Sequence, residues 1–291
     1  MITIYWGVNP QTIPEGMRYD PPVPILNNFL KSRKQKVTQN KIRQRNPNNK
    51  FLINVADGKS YGTTFDEQGQ IDDLGYHRCP AFADELTNLY GIKSVYDYDI
   101  EVKDDQVNPR FDKRNEISDI DFFHKHVMIR SIKHRLFSFS QGIVFFTDMD
   151  TPSLIMSQLS PYMEDNTIAK NAIVVPGQFD IGKYFRTLDF AWHFRDNYER
   201  IKFDRDIITF YLRFHTKEKI KFRRFMWTKE LGDLNGMMGS VKQRKEPELL
   251  SKALQFYYNI FDKHNLKKKM LKIIEDNLCK EEDSEGNVIS S

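Results

Sequence analysis

Through the middle of the chain, apolar and polar side chains alternate. In "TLDFAWHFR", Leu188, Phe190, Trp192 and Phe194 fall on one side of an extended strand, and Asp189, Ala191, His193 and Arg195 on the other. "DIITFYLRFHT" repeats the pattern with Ile208, Phe210, Leu212 and Phe214. Successive residues of a strand point to opposite faces, so a period of two predicts strands with one apolar and one wet face. "RLFSFS", "GIVFFTD", "PSLIMSQLS", "NAIVVPG" and "KIKFRRFMW" add more short strands, the first two joined by a hairpin at Gln141-Gly142. Strands this closely spaced predict a mainly β (α+β) chain with an antiparallel β-sandwich or jelly-roll core.

The flanks read differently. "FLINV" and "IKSVYDYDIEV" are further strand signals, the second through Val95, Tyr96, Tyr98, Ile100 and Val102. Between them "PAFADELTNLYG" reads as a short helix from Pro80 to Gly91, with Phe82, Leu86 and Leu89 at helical spacing. After Trp227, "GDLNGMMGS" and "VKQRKE" read by composition as a loop. From Pro247 to about Leu278 the period becomes helical: Leu249, Leu250, Ala253, Leu254, Tyr257, Ile260 and Phe261, then Met270, Leu271 and Ile274. Two C-terminal helices are predicted, broken near His264-Asn265. The predicted organisation is an extended proline-rich and basic segment (1–50), a β-sandwich domain (51–230), a linker (231–246), helices (247–280) and a polar tail (281–291).

Composition narrows the function classes. Of 291 residues, 40% are hydrophobic and 13% aromatic, enough for a substantial core and too much for global disorder. With 44 basic and 40 acidic residues the net charge is only +4, which implies nucleic-acid binding only if the charge is concentrated. The most biased window is residues 31–50. It carries Lys31, Arg33, Lys34, Lys36, Lys41, Arg43, Arg45 and Lys50 and no acidic residue. Such a run reads either as a solvated loop or as an arm contacting phosphates or an acidic partner. No aromatic residue is interleaved, which argues against stacking on bases. The two cysteines, Cys79 and Cys279, lie far apart, and the N-terminus has no secretory pattern, so a reducing compartment is expected and a disulfide framework is not. No apolar run reaches the length of a membrane span, and no membrane partner is expected.

Candidate chemistry centres on "FFHKHVMIRSIKH", which holds His124, His126 and His134. In a strand His124 and His126 share a face, the arrangement with which cupin-type enzymes hold a divalent metal ion. Such sites add a carboxylate a few residues on, whereas here no acidic residue follows until Asp148. Without further ligands the pair reads as ordinary strand histidines, and no cofactor is expected. Asp148 and Asp150 could share a cation at a strand end, and His77 could pair with Cys79; both read more simply as solvent-facing or packed residues. The chain contains no nucleophile elbow, phosphate loop, dinucleotide fingerprint or zincin helix.

The segment "YHRCPAFADELTNLYGIKSVYDYDIEV" resembles proteins of the T4-like tailed bacteriophages. These share a Cys-Pro-Ala stretch, a short amphipathic piece with an Asn, then Lys-Ser and an Asp-containing strand. The block from Asn171 to Phe194, continuing through "DIITFYLRFHT", is similar to them as well, so the resemblance covers about residues 76–230. It carries no catalytic motif and leaves out the basic segment and the terminal helices. The resemblance implies a phage-type auxiliary or structural protein with a β-sandwich, located in the host cytoplasm or on the virion. The expected function is therefore non-enzymatic: protein binding or self-assembly, with the basic segment and the C-terminal helices as docking elements. Two alternatives stand beside it, a cupin-like metal enzyme at His124 and His126, and nucleic-acid binding through residues 31–50.

Overall fold

The computed structural model describes residues 1–10, 19–26, 80–94, 98–103, 106–110, 127–131, 133–149, 153–195, 200–205, 207–240 and 253–280. The chain divides into two compact units, Met1–Val23 with Gly91–Ser291, and Pro24–Tyr90. In chain order the strands are β1 (Ile2–Val8), β2 (Val23–Pro24), β3 (Leu89–Lys93), β4 (Tyr98–Lys103), β5 (Gln106–Arg110), β6 (Val127–Ser131), β7 (Leu136–Ser140) and β8 (Ile143–Thr147). They continue with β9 (Ile155–Leu159), β10 (Ala172–Val174), β11 (Gly177–Asp180), β12 (Asp189–Phe194), β13 (Arg200–Phe203), β14 (Ile208–Phe214) and β15 (Ile220–Arg224). The helices are α1 (Pro80–Glu85), α2 (Thr167–Asn171), α3 (Lys229–Ser240), α4 (Ala253–Lys263) and α5 (Leu266–Asp276). The fold is mainly β with several antiparallel sheets, sandwich-like packing and C-terminal helices.

Among the described residues the strands form four sheets, ordered β15-β1-β8, β10-β12-β7-β6, β11-β9-β14-β3-β2 and β13-β4-β5. Rings on facing strands hold the sheets of the larger unit together. Trp192 of β12 meets Phe203 of β13 at 5.9 Å and Phe210 of β14 at 6.3 Å. Phe214 of β14 meets Phe145 of β8 at 5.9 Å and Phe222 of β15 at 5.8 Å. Fully burying one such side chain stabilises a fold by about 1.5–3 kcal/mol.

The sheet β15-β1-β8 is covered on both sides, which the predicted one-faced alternation does not anticipate. All five residues of β8 are buried. Phe145 faces the β14 sheet. Phe146, on the other side, packs with Tyr5, Val144, Phe225, Leu231, Met238, Phe261, Met270 and Ile274 beneath α3, α4 and α5. β14 is likewise central: Thr209 and Tyr211 are as buried as Phe210 and Leu212 between them. Gly7 of β1 shows how close the packing is, since a Cβ there would overlap the Phe225 ring.

Several expectations are corrected. "RLFSFS" and "GIVFFTD" do not form a hairpin: β7 pairs with β12 and β6, while β8 pairs with β1. The chain passes from one sheet to the next through a bend at Gly142, whose φ of 64° a side chain would strain. Leu188 bridges the bend, accepting from the Gln141 N–H and donating to the Ile143 carbonyl. β15 runs parallel to β1, not antiparallel. The helix at Pro80 stops at Glu85, because Asn88 takes the left-handed conformation (φ 54°) and Leu89 and Gly91 enter β3. The "GDLNGMMGS" stretch is not a loop but part of α3, within the residues expected as a linker. Its glycines cost helix propensity, about 1 kcal/mol each. Leu231, Leu234 and Met238, on one helical face, offset this by burial, and the Thr228 hydroxyl accepts the Leu231 N–H at 3.2 Å as an N-terminal cap.

The C-terminal pair is much as predicted. α4 and α5 meet at a turn in which Asn265 has φ 49°. Their apolar faces are already buried by Tyr257, Phe261, Leu266, Met270 and Ile274. Lys183 pairs with Asp262 at 2.8 Å, and Lys267 donates to the Met149 carbonyl. These helices are core elements, and their apolar stripe is not the docking face the sequence suggested.

Two tests follow from this packing. Met270→Ala is expected to lower stability by about 2–5 kcal/mol, and deletion of residues 247–291 to abolish the cooperative transition; denaturant titration followed by circular dichroism reads both. The second test concerns Tyr184, stacked on Phe179 at 4.6 Å and edge-on to Tyr257 at 5.8 Å. Burial pushes its phenol up to about 12 from 10.0. A pKa raised on folding gives stability that is complete below the unfolded value and lost as pH rises through the folded one. Stability should therefore fall between pH ~10 and ~12, and Tyr184→Phe should flatten part of that fall in denaturation midpoints measured across the range.

Candidate functional site

Two surfaces of the larger unit combine exposure with chemistry. The first lies on the outer side of the sheet containing β11, β9 and β14. Gln178 of β11 pairs with Ser157 of β9, which pairs in turn with Arg213 of β14. Cross-strand partners point the same way, so Gln178, Ser157 and Arg213 form one row on one face. Met156 and Phe214, a register step away, point to the opposite, buried side. His215 follows β14 directly and shares the face of Arg213. Its backbone N–H donates to the Ile155 carbonyl at 2.9 Å, which fixes the residue beside β9.

The result is a close side-chain pair. Ser157 Oγ lies 2.6 Å from His215 Nε2. The hydroxyl donates when that nitrogen is the unprotonated one. Ser157 is 5% exposed, whereas His215 and Gln178 are exposed and Arg213 half-buried. Tyr211, two residues before Arg213 on this face, donates its hydroxyl to Glu164 at 2.7 Å and meets Tyr162 edge-on at 5.4 Å. Burial, reinforced by that hydrogen bond, pushes its phenol far above the ordinary range, so it stays a donor. Chemically, the row offers a nucleophile, a base, a cation and an amide.

The second surface is the outer edge of β15. The stretch "KEKIKFRR" carries Lys217, Lys219, Lys221, Arg223 and Arg224. Its one acidic member, Glu218, holds the N-terminal ammonium at 2.8 Å. Arg224 lies over the Trp6 ring at 5.2 Å, and Met226 beyond it is 61% exposed. The Lys219 carbonyl and the Phe225 N–H bond to β1, while the Arg224 carbonyl accepts from Cys279 on the far side. Among the described residues β15 is the outer strand of its sheet, which runs β15-β1-β8. On the helix-facing side, burial, then the Asp148 and Glu275 carboxylates, raise the Tyr5 phenol, and Arg223 opposes them.

Of the residues singled out by sequence, His124 and His126 lie outside the described residues. So do Lys31, Arg33, Lys34, Lys36, Lys41, Arg43 and Arg45, as well as His77, Cys79 and Asp150. His134 is exposed, its backbone N–H donating to Ser131 Oγ at 3.3 Å, and Asp148 is exposed at the end of β8. Cys279 is half-buried, its backbone N–H donating to the Arg224 carbonyl at 2.9 Å. Among the described residues no three His, Cys, Asp or Glu side chains gather as a metal site, and no helix is long and apolar enough to cross a membrane.

Neither Ser157 nor His215 carries a sequence signal, because nothing in the spacing of "IMSQLS" and "RFHT" says that β9 and β14 are neighbours. The β15 charges were visible, but only as part of a strand. No protein-family model, curated protein or solved structure matches the chain.

Proposed function

We propose that the protein acts by binding a protein partner, as a phage-type auxiliary or assembly protein in the host cytoplasm or on the virion, and that β15 is its contact strand. The supporting observation is β15 itself, the outer strand of its sheet among the described residues, at which Lys219, Lys221 and Arg224 are all exposed. An extended segment can add to such an edge through main-chain hydrogen bonds, with side chains supplying specificity. Lysines on an edge repel a second copy of the same strand. They attract a strand carrying Asp and Glu, so the charge pattern favours an acidic partner over self-pairing. The resemblance to T4-like phage proteins supports the broader class.

The test is fluorescence anisotropy with an extended peptide alternating Glu and Val. Binding should weaken as salt rises, because exposed charge pairs are screened. Lys219→Glu with Lys221→Glu should reduce affinity about tenfold or more, equivalent to ~1.4 kcal/mol. Unchanged affinity in the double variant would remove β15 as the contact. Binding of single-stranded nucleic acid in place of the peptide would overturn the acidic-protein reading.

A further inference from the structure

The Ser157–His215 pair takes no part in the binding edge. It sits on the outer face of the β9–β14 sheet, whose opposite face carries Phe214 toward Phe145 and Phe222 of the β15 sheet. The aromatic core therefore lies between the two surfaces. We infer that this row is an acyl-transfer site for carboxylic esters, with Ser157 as nucleophile and His215 as its general base. This goes beyond partner binding and revises the non-enzymatic expectation from sequence.

The geometry meets the first requirement of nucleophilic catalysis, a hydroxyl within hydrogen-bond reach of a base: Ser157 Oγ to His215 Nε2 is 2.6 Å. Both partners are placed by backbone bonds. Ser157 lies inside β9, flanked on both sides, and His215 is held by its N–H to the Ile155 carbonyl. Exposure is graded in the useful direction, with the hydroxyl at the floor of the row and the imidazole open to solvent. Flanking Ser157 in register are Arg213 and Gln178, both hydrogen-bond donors. A guanidinium and an amide, on the two strands that flank the serine, are the donor types that stabilise a tetrahedral oxyanion.

In the first half-reaction the Ser157 Oγ–H proton passes to His215 Nε2 as Oγ bonds to the ester carbonyl carbon. The tetrahedral adduct then expels the alkoxide, which leaves as an alcohol carrying the proton from His215. In the second, His215 takes a proton from water, hydroxide attacks the acyl-serine, and Ser157 recovers its proton as the acid departs. Water is the only co-reactant.

The full-length protein is treated with a fluorophosphonate probe and, separately, with p-nitrophenyl acetate. The expected results are one phosphonyl adduct per chain, mapped to Ser157 by mass spectrometry, and a nitrophenolate burst of one equivalent. Ser157→Ala should abolish both. His215→Gln should slow them about a hundredfold while near-UV circular dichroism stays unchanged. Arg213→Ala should slow acylation without losing the adduct site. Failure of the folded wild-type chain to react, an adduct elsewhere, or a burst that persists in Ser157→Ala would overturn the inference. If Ser157→Ala does not fold, the mapped adduct and burst of the wild-type chain decide alone.

Discussion

Phe145 and Phe146 are adjacent in sequence and point to opposite sides of β8, yet both are buried. That double burial is the constraint from which the larger unit is built. A strand buried on both faces needs a cover on each. The β14 sheet supplies one cover through Phe214, and α3, α4 and α5 supply the other through Phe261, Met270 and their neighbours. Neither cover is optional, since an uncovered β8 would expose a row of phenylalanines or valines to water. The helices are thus the second half of the core. An amphipathic stripe in sequence says that a helix buries one face; it does not say against what.

The same constraint explains Gly142. A strand that belonged wholly to one sheet could not serve both the β12–β7 pairing and the β1–β8 pairing, because the two sheets have different neighbours. The left-handed residue between β7 and β8 re-aims the chain at that point, and Leu188 bonds across it on both sides. In sequence, a Gln-Gly pair between two apolar runs is indistinguishable from a hairpin turn. Whether the runs fold back on one another or continue into separate sheets depends on partners more than a hundred residues away in the case of β1. Long-range pairing decided it.

What was legible in the sequence follows this division. Local periodicity identified β7, β8, β9, β12 and β14, the break at Asn265 and the helix start at Pro80, because each is set by residues within a turn or a strand. Composition misled at α3, where three glycines outweighed the Leu231, Leu234 and Met238 stripe that burial rewards. Alternation was read correctly for Trp192 and Phe194, but it could not reveal that Thr209 and Tyr211 are covered too, since a locally covered stretch of an outward face shows the same alternation as a solvated one. The parallel β1–β15 pair was invisible for the same reason as the bend: it joins the two ends of the sheet-forming chain.

The candidate sites were legible to very different degrees, and the reason is physical. A charge pattern on one strand is written consecutively, so the basic β15 could be read directly, and only its edge position required the sheet order. A serine and a histidine on different strands are brought together by register alone. A one-residue slip between β9 and β14 would send Ser157 into the apolar interior and bring Met156 to the face with His215. Met156 and Phe214, locked at 0% exposure on the inner face, forbid that slip. The polar row therefore owes its alignment to the apolar row beneath it. The burial that makes the fold also sets the 2.6 Å approach on its surface.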